Sequence, residues 1–413
     1  MKRLWPLTAR GTGALIAAVA AFVVAHEAGI VELVYFGVLL LAVVAVSIAS
    51  LYVARHTEAV ARTLTPDVVA VGRESTVRVR VGLRSALPTA PGSWDDTLSS
   101  GVAGRAGGVF PAIGSGLRSE STVELSYTVT GRRRGIHSLG PLTVTATDPF
   151  GIARRRFRLG GRTRVTVAPA IVEFEVLPRA AGEAGGMLQT ATAQLGEGAD
   201  NLVARPYAPG DSMRRIHWRA TAHRDTLMVR QEEQEASPRA SVVLDRSALR
   251  WGTDALLAPG EDAAFETGVS AAVSAAMRLV REGYTVEVVD SDGTALSEPI
   301  GGGEIADVEA LAAQLATLTT RRGDDLEHVA VLFAGVLTGP VVVVTGRLDA
   351  RDTLALAPAA HHSSLPVLLT IGGKADAVDR ARGYGWHAAS AYAEQDPALA
   401  WDAALTRGAV RVR

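Results

Sequence analysis

A chain of 413 residues is long enough for two or three domains, and its charges nearly balance, with 42 Lys and Arg residues against 43 Asp and Glu residues. The resulting net charge of −1 gives no electrostatic reason to expect nucleic acid as a partner. The lack of cysteine excludes disulfide bonds, thiolate nucleophiles and zinc sites with cysteine ligands, and it agrees with a reducing compartment.

Two apolar segments open the chain, over residues 11–25 and 33–54. At about 1.5 Å per residue, the second segment can cross a hydrocarbon core about 30 Å thick, and the first can do so with its flanking residues. We therefore predict that residues 1–56 form a transmembrane helical hairpin with a polar turn. The alternative is a cleaved signal peptide followed by one span, because Lys2, Arg3 and Arg10 resemble the basic start of a signal peptide.

The charges around this hairpin predict its orientation. Basic residues precede and follow it: Arg3, Arg10, Arg55 and Arg62. The turn instead carries Glu27 and Glu32. Because basic residues are retained on the cytoplasmic side, both ends of the hairpin and the whole soluble region are predicted to lie in the cytoplasm. The chain is then a multi-pass protein of the cell membrane.

Residues 57–178 are predicted to form a β-rich domain. Apolar and polar residues alternate over residues 76–81, 122–129 and 142–146, which is the period of a strand with one buried face. Several such strands favour a β-sandwich-like domain or a small barrel. Residues 88–116 are rich in Gly and Ser, and we predict a long mobile loop there.

The β-rich domain also contains two arginine-rich stretches, within residues 132–134 and 154–164. Beside a membrane these arginines could contact anionic headgroups, at about 1 kcal/mol per residue close to the surface. The alternative, which we favour, is a solvated sheet edge whose charges discourage pairing with other strands.

A connector over residues 179–238 leads into residues 239–413, where apolar strand-like runs alternate with helical segments. This alternation predicts an α/β domain with a mainly parallel sheet, and it places any site at the carboxyl ends of the strands, near Asp245. The predicted strands cover residues 241–244, 284–289, 340–345 and 365–371, and the predicted helices cover residues 261–281, 307–318, 324–336 and 349–359.

The connector contains the most distinctive stretch of the chain, residues 205–218, with the sequence RPYAPGDSMRRIHW. A Pro-Gly turn precedes Asp211, which can cap a short helix that carries arginines and Trp218. Such a helix could be a docking surface, because Trp and Arg are frequent at interface hot spots. Equally, Tyr207, Ile216 and Trp218 could pack internally while Asp211 pairs with the arginines. The candidate partner-binding residues are Arg205, Tyr207, Gly210, Asp211, Arg214, His217 and Trp218.

Two stretches of the chain resemble the DUF58 family, whose members are also described as YeaD-like. These stretches are RRGIHSLGPLTVTATDPFG, over residues 133–151, and RPYAPGDSMRRIHWRATA, over residues 205–222. The resemblance also extends to the two-span N-terminal hairpin and so covers nearly the whole chain. One departure is His217, which stands where many members have Asp.

The resemblance implies a von Willebrand A-like fold for the α/β domain. In that fold, a DxSxS loop and a Thr and an Asp from later loops bind Mg²⁺. This chain keeps Asp245 and Ser247 but has Leu249 at the second Ser, and Gly346 stands where the later Asp is expected. Near residues 322–326 an Asp takes the place of the Thr. Because Mg²⁺ requires several oxygen ligands, we predict no metal site, and Asp245 and Ser247 are only weak candidates.

The resemblance further implies a partnership with a MoxR-type AAA+ ATPase. The chain would then be a membrane-anchored, non-enzymatic adaptor or scaffold in the assembly or maturation of other proteins, with other membrane-protein subunits as further partners. Two alternatives stay open. One is a metal-assisted hydrolase that uses Asp245, Asp211 and His217, and the other is a module that binds anionic lipid through the arginine-rich stretches.

Overall fold

The computed structural model describes residues 6–53, 59–83, 90–112, 121–177, 202–207, 213, 216, 218–224, 226–232, 238–334 and 338–408. The chain divides into two compact units. The first comprises Met1–Ala170, Ala258–Gly260 and Ala313–Leu318, and the second comprises Ile171–Leu257, Glu261–Ala312 and Thr319–Arg413.

The first unit begins with two long helices, α1 (Ala9–Ala28) and α2 (Val31–Val53). Thr8 caps α1 by accepting a hydrogen bond from the backbone N–H of Gly11. Gly29 ends α1 in the left-handed conformation, with a φ of 66°, which a residue without a side chain adopts at no steric cost. The chain therefore reverses within two residues between the helices.

Both helices are long and apolar enough to cross a membrane, judged by length and composition. Most of their residues are exposed, including large side chains of α2: Tyr35, Phe36, Val38, Leu39, Val46 and Tyr52. The two predicted apolar N-terminal helices are thus confirmed. The polar turn is shorter than predicted, because Glu27 lies within α1 and Glu32 lies within α2.

Two sheets make up most of the rest of the first unit. Their strands are β1 (Ala59–Thr65), β2 (Val68–Ala70), β3 (Glu74–Leu83), β4 (Ala90–Leu98), β5 (Val102–Gly104), β6 (Gly107–Phe110), β7 (Ser121–Gly131), β8 (Gly135–Thr147), β9 (Arg154–Leu159) and β10 (Thr163–Ala168). One sheet has the order β1-β3-β7-β5 and is antiparallel. The other has the order β2-β10-β8-β4-β6, with β9 paired to β8.

The two sheets share one hydrophobic core. Its residues alternate along the strands, as the sequence predicts, and include Val77 and Val79 of β3, Leu125 of β7 and Val144 of β8. Each Val or Leu that is fully buried contributes about 1.5–3 kcal/mol relative to an exposed position. The predicted alternating strands and the β-rich character of this part of the chain are confirmed.

A buried polar network also joins the two sheets. Arg62 of β1 donates two hydrogen bonds of 2.9 Å to the carboxylate of Asp96 in β4, and both side chains are almost completely buried. The hydroxyl of Tyr127 in β7 donates a hydrogen bond of 2.7 Å to the same carboxylate. Burial and this bond to Asp96 raise the pKa of Tyr127 well above its ordinary range. The network satisfies polar groups that would otherwise be costly to bury.

The prediction of a long loop over residues 88–116 is wrong. The chain forms β4, β5 and β6 there, and Trp94, Val102 and Phe110 are buried in the core. Glycine and serine do not prevent these strands, because a few widely spaced apolar side chains hold the segment against the core.

In the second unit, a short hairpin pairs β11 (Leu202–Pro206) with β12 (Met228–Glu232). Helix α3 (Trp218–Arg224) lies between them in sequence. Ile216 forms a β-bridge with Val229 of β12, and both side chains are buried.

The rest of the second unit contains a parallel five-stranded sheet. Its strands are β13 (Arg239–Leu244), β14 (Thr285–Asp290), β15 (Thr338–Thr345), β16 (Ser363–Ile371) and β17 (His387–Ala391). They are paired in the order β14-β13-β15-β16-β17. The first four strands correspond to the predicted strands, and the predicted mainly parallel sheet is confirmed.

Helices alternate with these strands along the chain. They are α4 (Ala263–Arg281), α5 (Ile305–Gln314), α6 (Leu326–Leu332), α7 (Ala350–His361), α8 (Ala375–Gly383) and α9 (Pro397–Gly408). Most of the residues of α4 are buried, and Asp262 caps it by accepting a hydrogen bond from the N–H of Phe265. Sequence patterning predicted the first four of these helices, whereas α8, α9 and β17 were missed.

Candidate functional site

The order of the parallel strands indicates where a site would form. From β13 the chain first adds β14 on one side and then returns to add β15 on the other side. In open parallel sheets, ligands bind outside the carboxyl ends of the strands at the point where the strand order reverses. Here that point lies between β13 and β15, next to Asp245 and Thr345.

Asp245 is completely buried at this position and is held by three hydrogen bonds. Its Oδ1 accepts bonds from the backbone N–H of Ser247, at 3.0 Å, and from the hydroxyl of Ser291, at 3.1 Å. Its Oδ2 accepts a bond of 2.7 Å from the hydroxyl of Thr345. Residues that follow or end β13, β14 and β15 therefore meet at one carboxylate.

Arg250 is the cation nearest to Asp245 among the described residues. We call Arg250, Asp245, Asp324 and Asp352 the Arg250 cluster. Nη1 of Arg250 lies 3.6 Å from Oδ2 of Asp245. Nη2 donates hydrogen bonds of 2.5 Å to Asp324 and 2.6 Å to Asp352. The side chains of Arg250 and Asp245 are 5% and 0% exposed, so these two charges interact with little screening by solvent, whereas Asp324 is 45% exposed.

Burial and charge act in opposite directions within the Arg250 cluster. Burial raises the pKa of Asp245, against the opposing effects of Arg250 and of the three hydrogen bonds. Burial lowers the pKa of Arg250, but the hydrogen bond to Asp352, the charge of Asp245 and the hydrogen bond to Asp324 outweigh it and raise that pKa. Arg250 is thus a permanent internal cation.

A second arginine organises the neighbouring strand end. We call Arg321, Asp290, Asp292 and Asp325 the Arg321 cluster. Arg321 donates hydrogen bonds of 2.7 Å to Asp290 and 2.5 Å to Asp325, and it lies 3.3 Å from Asp292. The hydrogen bond to Asp290 is the largest cause of the raised pKa of Arg321. Arg246 also approaches Asp290, at 3.5 Å.

These contacts determine which chemistry the strand ends can support. In the described part of the chain, no group of three or more His, Cys, Asp or Glu residues is arranged to hold a metal ion. The hydroxyl of Ser247 donates a hydrogen bond of 2.5 Å to the carbonyl oxygen of Gly323, and Leu249 is exposed. The weak metal candidates, Asp245 and Ser247, do lie together, but their side chains are already bonded to protein groups.

The structure describes three of the seven candidate partner-binding residues. Arg205 lies in β11, opposite Val229 of β12. The backbone N–H of Tyr207 donates a hydrogen bond of 2.7 Å to Leu227, and its side chain is half-buried. Trp218 is the first residue of α3, and its side chain is 69% exposed. Gly210, Asp211, Arg214 and His217 lie outside the described residues.

Within this stretch, the side chain of Ile216 packs internally, whereas the side chain of Trp218 does not. Ile216 is buried against β12, whereas Trp218 and Met213 are exposed. Large exposed apolar side chains that are grouped in sequence are typical of a contact surface.

Arg250, Arg321 and Ser291 were not among the site residues predicted from the sequence. A signal was present for Ser291, because a DSDG sequence, residues 290–293, begins at the last residue of β14. No short motif marks the two arginines, and some of their partners lie far away in sequence, namely Asp324 and Asp352 for Arg250 and Asp290 for Arg321.

Comparisons with known proteins find one family model that matches part of the chain and structural matches of low similarity. No curated protein matches the chain. Among solved structures, a CARDB domain from Pyrococcus furiosus has 14% identity and covers 27% of this chain and 93% of its own, with a TM-score of 0.19. A cohesin module from Clostridium perfringens has 12% identity and covers 28% of this chain and 97% of its own, with a TM-score of 0.17. Residues 203–352, which include the signature stretch and the Arg250 cluster up to Asp352, match the family model "Protein of unknown function DUF58", and this match supports the resemblance to that family.

Proposed function

We propose that the chain is a membrane-anchored, non-enzymatic adaptor or scaffold that works with a MoxR-type AAA+ ATPase in the assembly or maturation of other proteins. In this proposal, α1 and α2 cross the cell membrane and the remainder of the chain lies in the cytoplasm. The α/β unit has a von Willebrand A-like fold and no metal cofactor. The seven signature residues contribute to the partner surface, and Trp218 is one of those that the structure describes.

The observation that carries the proposal is the exposure of Trp218 within the family signature. When a partner covers an exposed Trp side chain, a large apolar area is removed from water. An exposed Trp therefore stabilises a complex with a partner and not the free chain. Ile216, two residues earlier, is anchored on β12 and holds the segment in place. An anchored segment that presents Trp218 outward suits docking to another protein.

The proposed membrane anchor draws support from exposed apolar surface. The large side chains of α2 would face water in a soluble protein, at a substantial cost in free energy. Inside a bilayer the same side chains face hydrocarbon, and the helix satisfies its own backbone hydrogen bonds.

The Arg250 cluster supports a role without catalysis. A metal-assisted hydrolase would need carboxylates that are free to bind a cation or to accept a proton. Asp245 is instead bonded to two hydroxyl groups and a backbone N–H and is paired with Arg250. Asp211 and His217, the other members of the hydrolase hypothesis, lie outside the described residues.

The proposal is tested by affinity capture from solubilised native membranes. The intact protein, a Trp218→Ala variant and a Tyr392→Ala variant are captured in parallel, and co-purified proteins are identified by mass spectrometry. Tyr392 is the matched control, because it is an aromatic residue of the same unit that is 75% exposed. All three proteins should have the same thermal stability, since both substitutions change exposed side chains.

We expect an AAA+ ATPase with the intact protein and with Tyr392→Ala, and a strong loss with Trp218→Ala. Equal recovery with all three proteins would remove Trp218 from the interface. No AAA+ ATPase with any of them would contradict the adaptor proposal.

A further inference from the structure

The start of α1 is fixed to the turn between β8 and β9. The backbone N–H of Thr8 donates a hydrogen bond of 2.9 Å to the carbonyl oxygen of Ile152. The hydroxyl of Thr8 donates a bond of 2.6 Å to the carbonyl oxygen of Gly151. One residue further out, Leu7 forms a β-bridge with Ala153. Hydrogen bonds and a β-bridge therefore join the start of α1 directly to the β8–β9 turn.

The end of α2 reaches the same hairpin. Arg155 of β9 donates a hydrogen bond of 2.8 Å to the carbonyl oxygen of Leu51, and its guanidinium lies 4.3 Å from the ring centroid of Tyr52. Leu51 is buried against Ala146 and Ala153. A cation over an aromatic face contributes about 0.5–1 kcal/mol at exposed sites.

These contacts place the β8–β9 turn at the boundary of a bilayer, if the proposed anchor is correct. The first candidate span, Ala9–Ala28, begins directly after Thr8, and the second, Val31–Tyr52, ends at the tyrosine beside Arg155. A helix of twenty residues is about 30 Å long, which matches the thickness of the hydrocarbon core. The hairpin therefore lies directly at the end of each span, with no further helical turn between them.

The β8–β9 turn presents an aromatic side chain at this level. Phe150 is 65% exposed, although the turn that carries it is well ordered by hydrogen bonds. Asp148 accepts bonds from the backbone N–H groups of Phe150 at 3.0 Å, Ile152 at 2.7 Å and Ala153 at 2.6 Å. The turn therefore displays Phe150 on a fixed backbone.

Arginines flank the exposed ring. Arg154 is exposed at the start of β9, and Arg10 is exposed on the first turn of α1, next to Gly151. By contrast, Arg134 in the other arginine-rich stretch is buried and donates a hydrogen bond to the carbonyl oxygen of Leu315. Arg132 in that stretch is exposed, so exposure alone does not single out one arginine-rich stretch. Arg10 and Arg154 are distinguished by their position next to the β8–β9 turn that carries Phe150.

We infer that the β8–β9 turn is a membrane contact, in which Phe150 enters the boundary between headgroups and acyl chains while Arg10 and Arg154 face lipid phosphates. Aromatic and aliphatic side chains at that boundary are buried about 5–10 Å deep, and arginines near an anionic surface are attracted to it. The partner is a phospholipid bilayer. The contact would hold the β sheets of the first unit in a fixed orientation to the membrane.

The inference is tested with single cysteines, which the native chain lacks. The full-length variants Phe150→Cys, Ile136→Cys and Leu39→Cys are labelled with an NBD fluorophore and reconstituted in vesicles. Quenching by lipids with a nitroxide near the headgroup or deep in the acyl chain then reports depth. Ile136 is the matched control, because it is 56% exposed at the opposite end of β8, and Leu39 reports the middle of α2.

We expect several-fold stronger quenching of the label at position 150 than at position 136 with the shallow nitroxide, and strong quenching at position 39 with the deep nitroxide. Quenching at position 39 without quenching at position 150 would overturn the membrane contact and leave the anchor intact. A label at position 39 that is not quenched would overturn the anchor and this inference together.

Discussion

Arg250 places a positive charge beside the buried carboxylate of Asp245 and the partly exposed carboxylates of Asp324 and Asp352. Two full charges in a low-dielectric interior interact strongly, but each also loses its hydration. The pair of Arg250 and Asp245 is therefore costly to break even if it adds little net stability. Asp352 serves two purposes here, because it also completes the capping box of α7 with Asp349.

We predict that Arg250→Met destabilises the protein by about 3–5 kcal/mol, because it leaves Asp245 buried without its partner. The measurement is urea unfolding of the detergent-solubilised protein, followed by tryptophan fluorescence. Arg351→Met is the control, since Arg351 forms an exposed ion pair with Glu327 and its loss should change little. A double variant with Asp245→Asn should lose less than the sum of the single losses. Additive losses would contradict the proposed coupling.

A second residue-scale prediction concerns pH. Burial lowers the pKa of His387 below its ordinary value of 6.5, and a backbone hydrogen bond with Ala404 opposes this only in part. The folded chain therefore favours neutral His387, whereas the unfolded chain takes up a proton as the pH falls through 6.5. We predict that the free energy of unfolding decreases below pH 6.5 and levels off below the folded-state pKa.

His387→Gln should make this decrease smaller, as measured by urea unfolding at a series of pH values between neutral and mildly acidic. His328→Gln, at an exposed position of α6, should retain the full decrease. If the two variants show the same pH dependence, His387 is not the group responsible.

At the scale of elements, sequence patterning succeeds where one repeating period decides the structure. The strands β3 and β7 alternate strictly, and the sheet uses that alternation to bury one face. The strands β4 and β6 lack such a pattern, because glycines come close to backbone and to Trp94 there.

The Arg250 cluster was unpredictable for another reason. It joins residues 74 and 102 positions apart, which only the completed fold brings together.

We predict that Gly11→Ala weakens the attachment of α1 to the β8–β9 hairpin. An added Cβ at Gly11 would overlap the carbonyl oxygen of Ile152, so the helix must shift and the Thr8 hydrogen bonds must lengthen. Overpacking of this kind costs about 1–3 kcal/mol. The thermal unfolding midpoint in detergent should therefore fall.

Gly13→Ala is the control for this prediction, since nothing lies within 4 Å of an added Cβ there. Alanine favours helix over glycine, so this variant should be as stable as the native chain or slightly more stable. A midpoint that falls equally in both variants would show that helix packing at Ile152 is not the cause.

For the whole molecule, the contacts of α1 and α2 with one hairpin restrict the topology. If both helices span the membrane, the start of α1 and the end of α2 lie on the same side, together with the β sheets of the first unit. The predicted orientation of α1 and α2 in the membrane depends on only a few charged residues. Arg62 is buried against Asp96, whereas Arg10 stays exposed at the start of α1.

We therefore predict that only the turn between α1 and α2 is reachable from outside the cell. Ile30→Cys, at that turn, should react with a membrane-impermeant maleimide in intact cells, because the basic flanks are retained in the cytoplasm. Val109→Cys, at an exposed position of β6, should react only after permeabilisation. Labelling of Val109→Cys in intact cells would reverse the orientation. A chain shortened by about the length of the first segment would instead indicate that this segment is removed as a signal peptide.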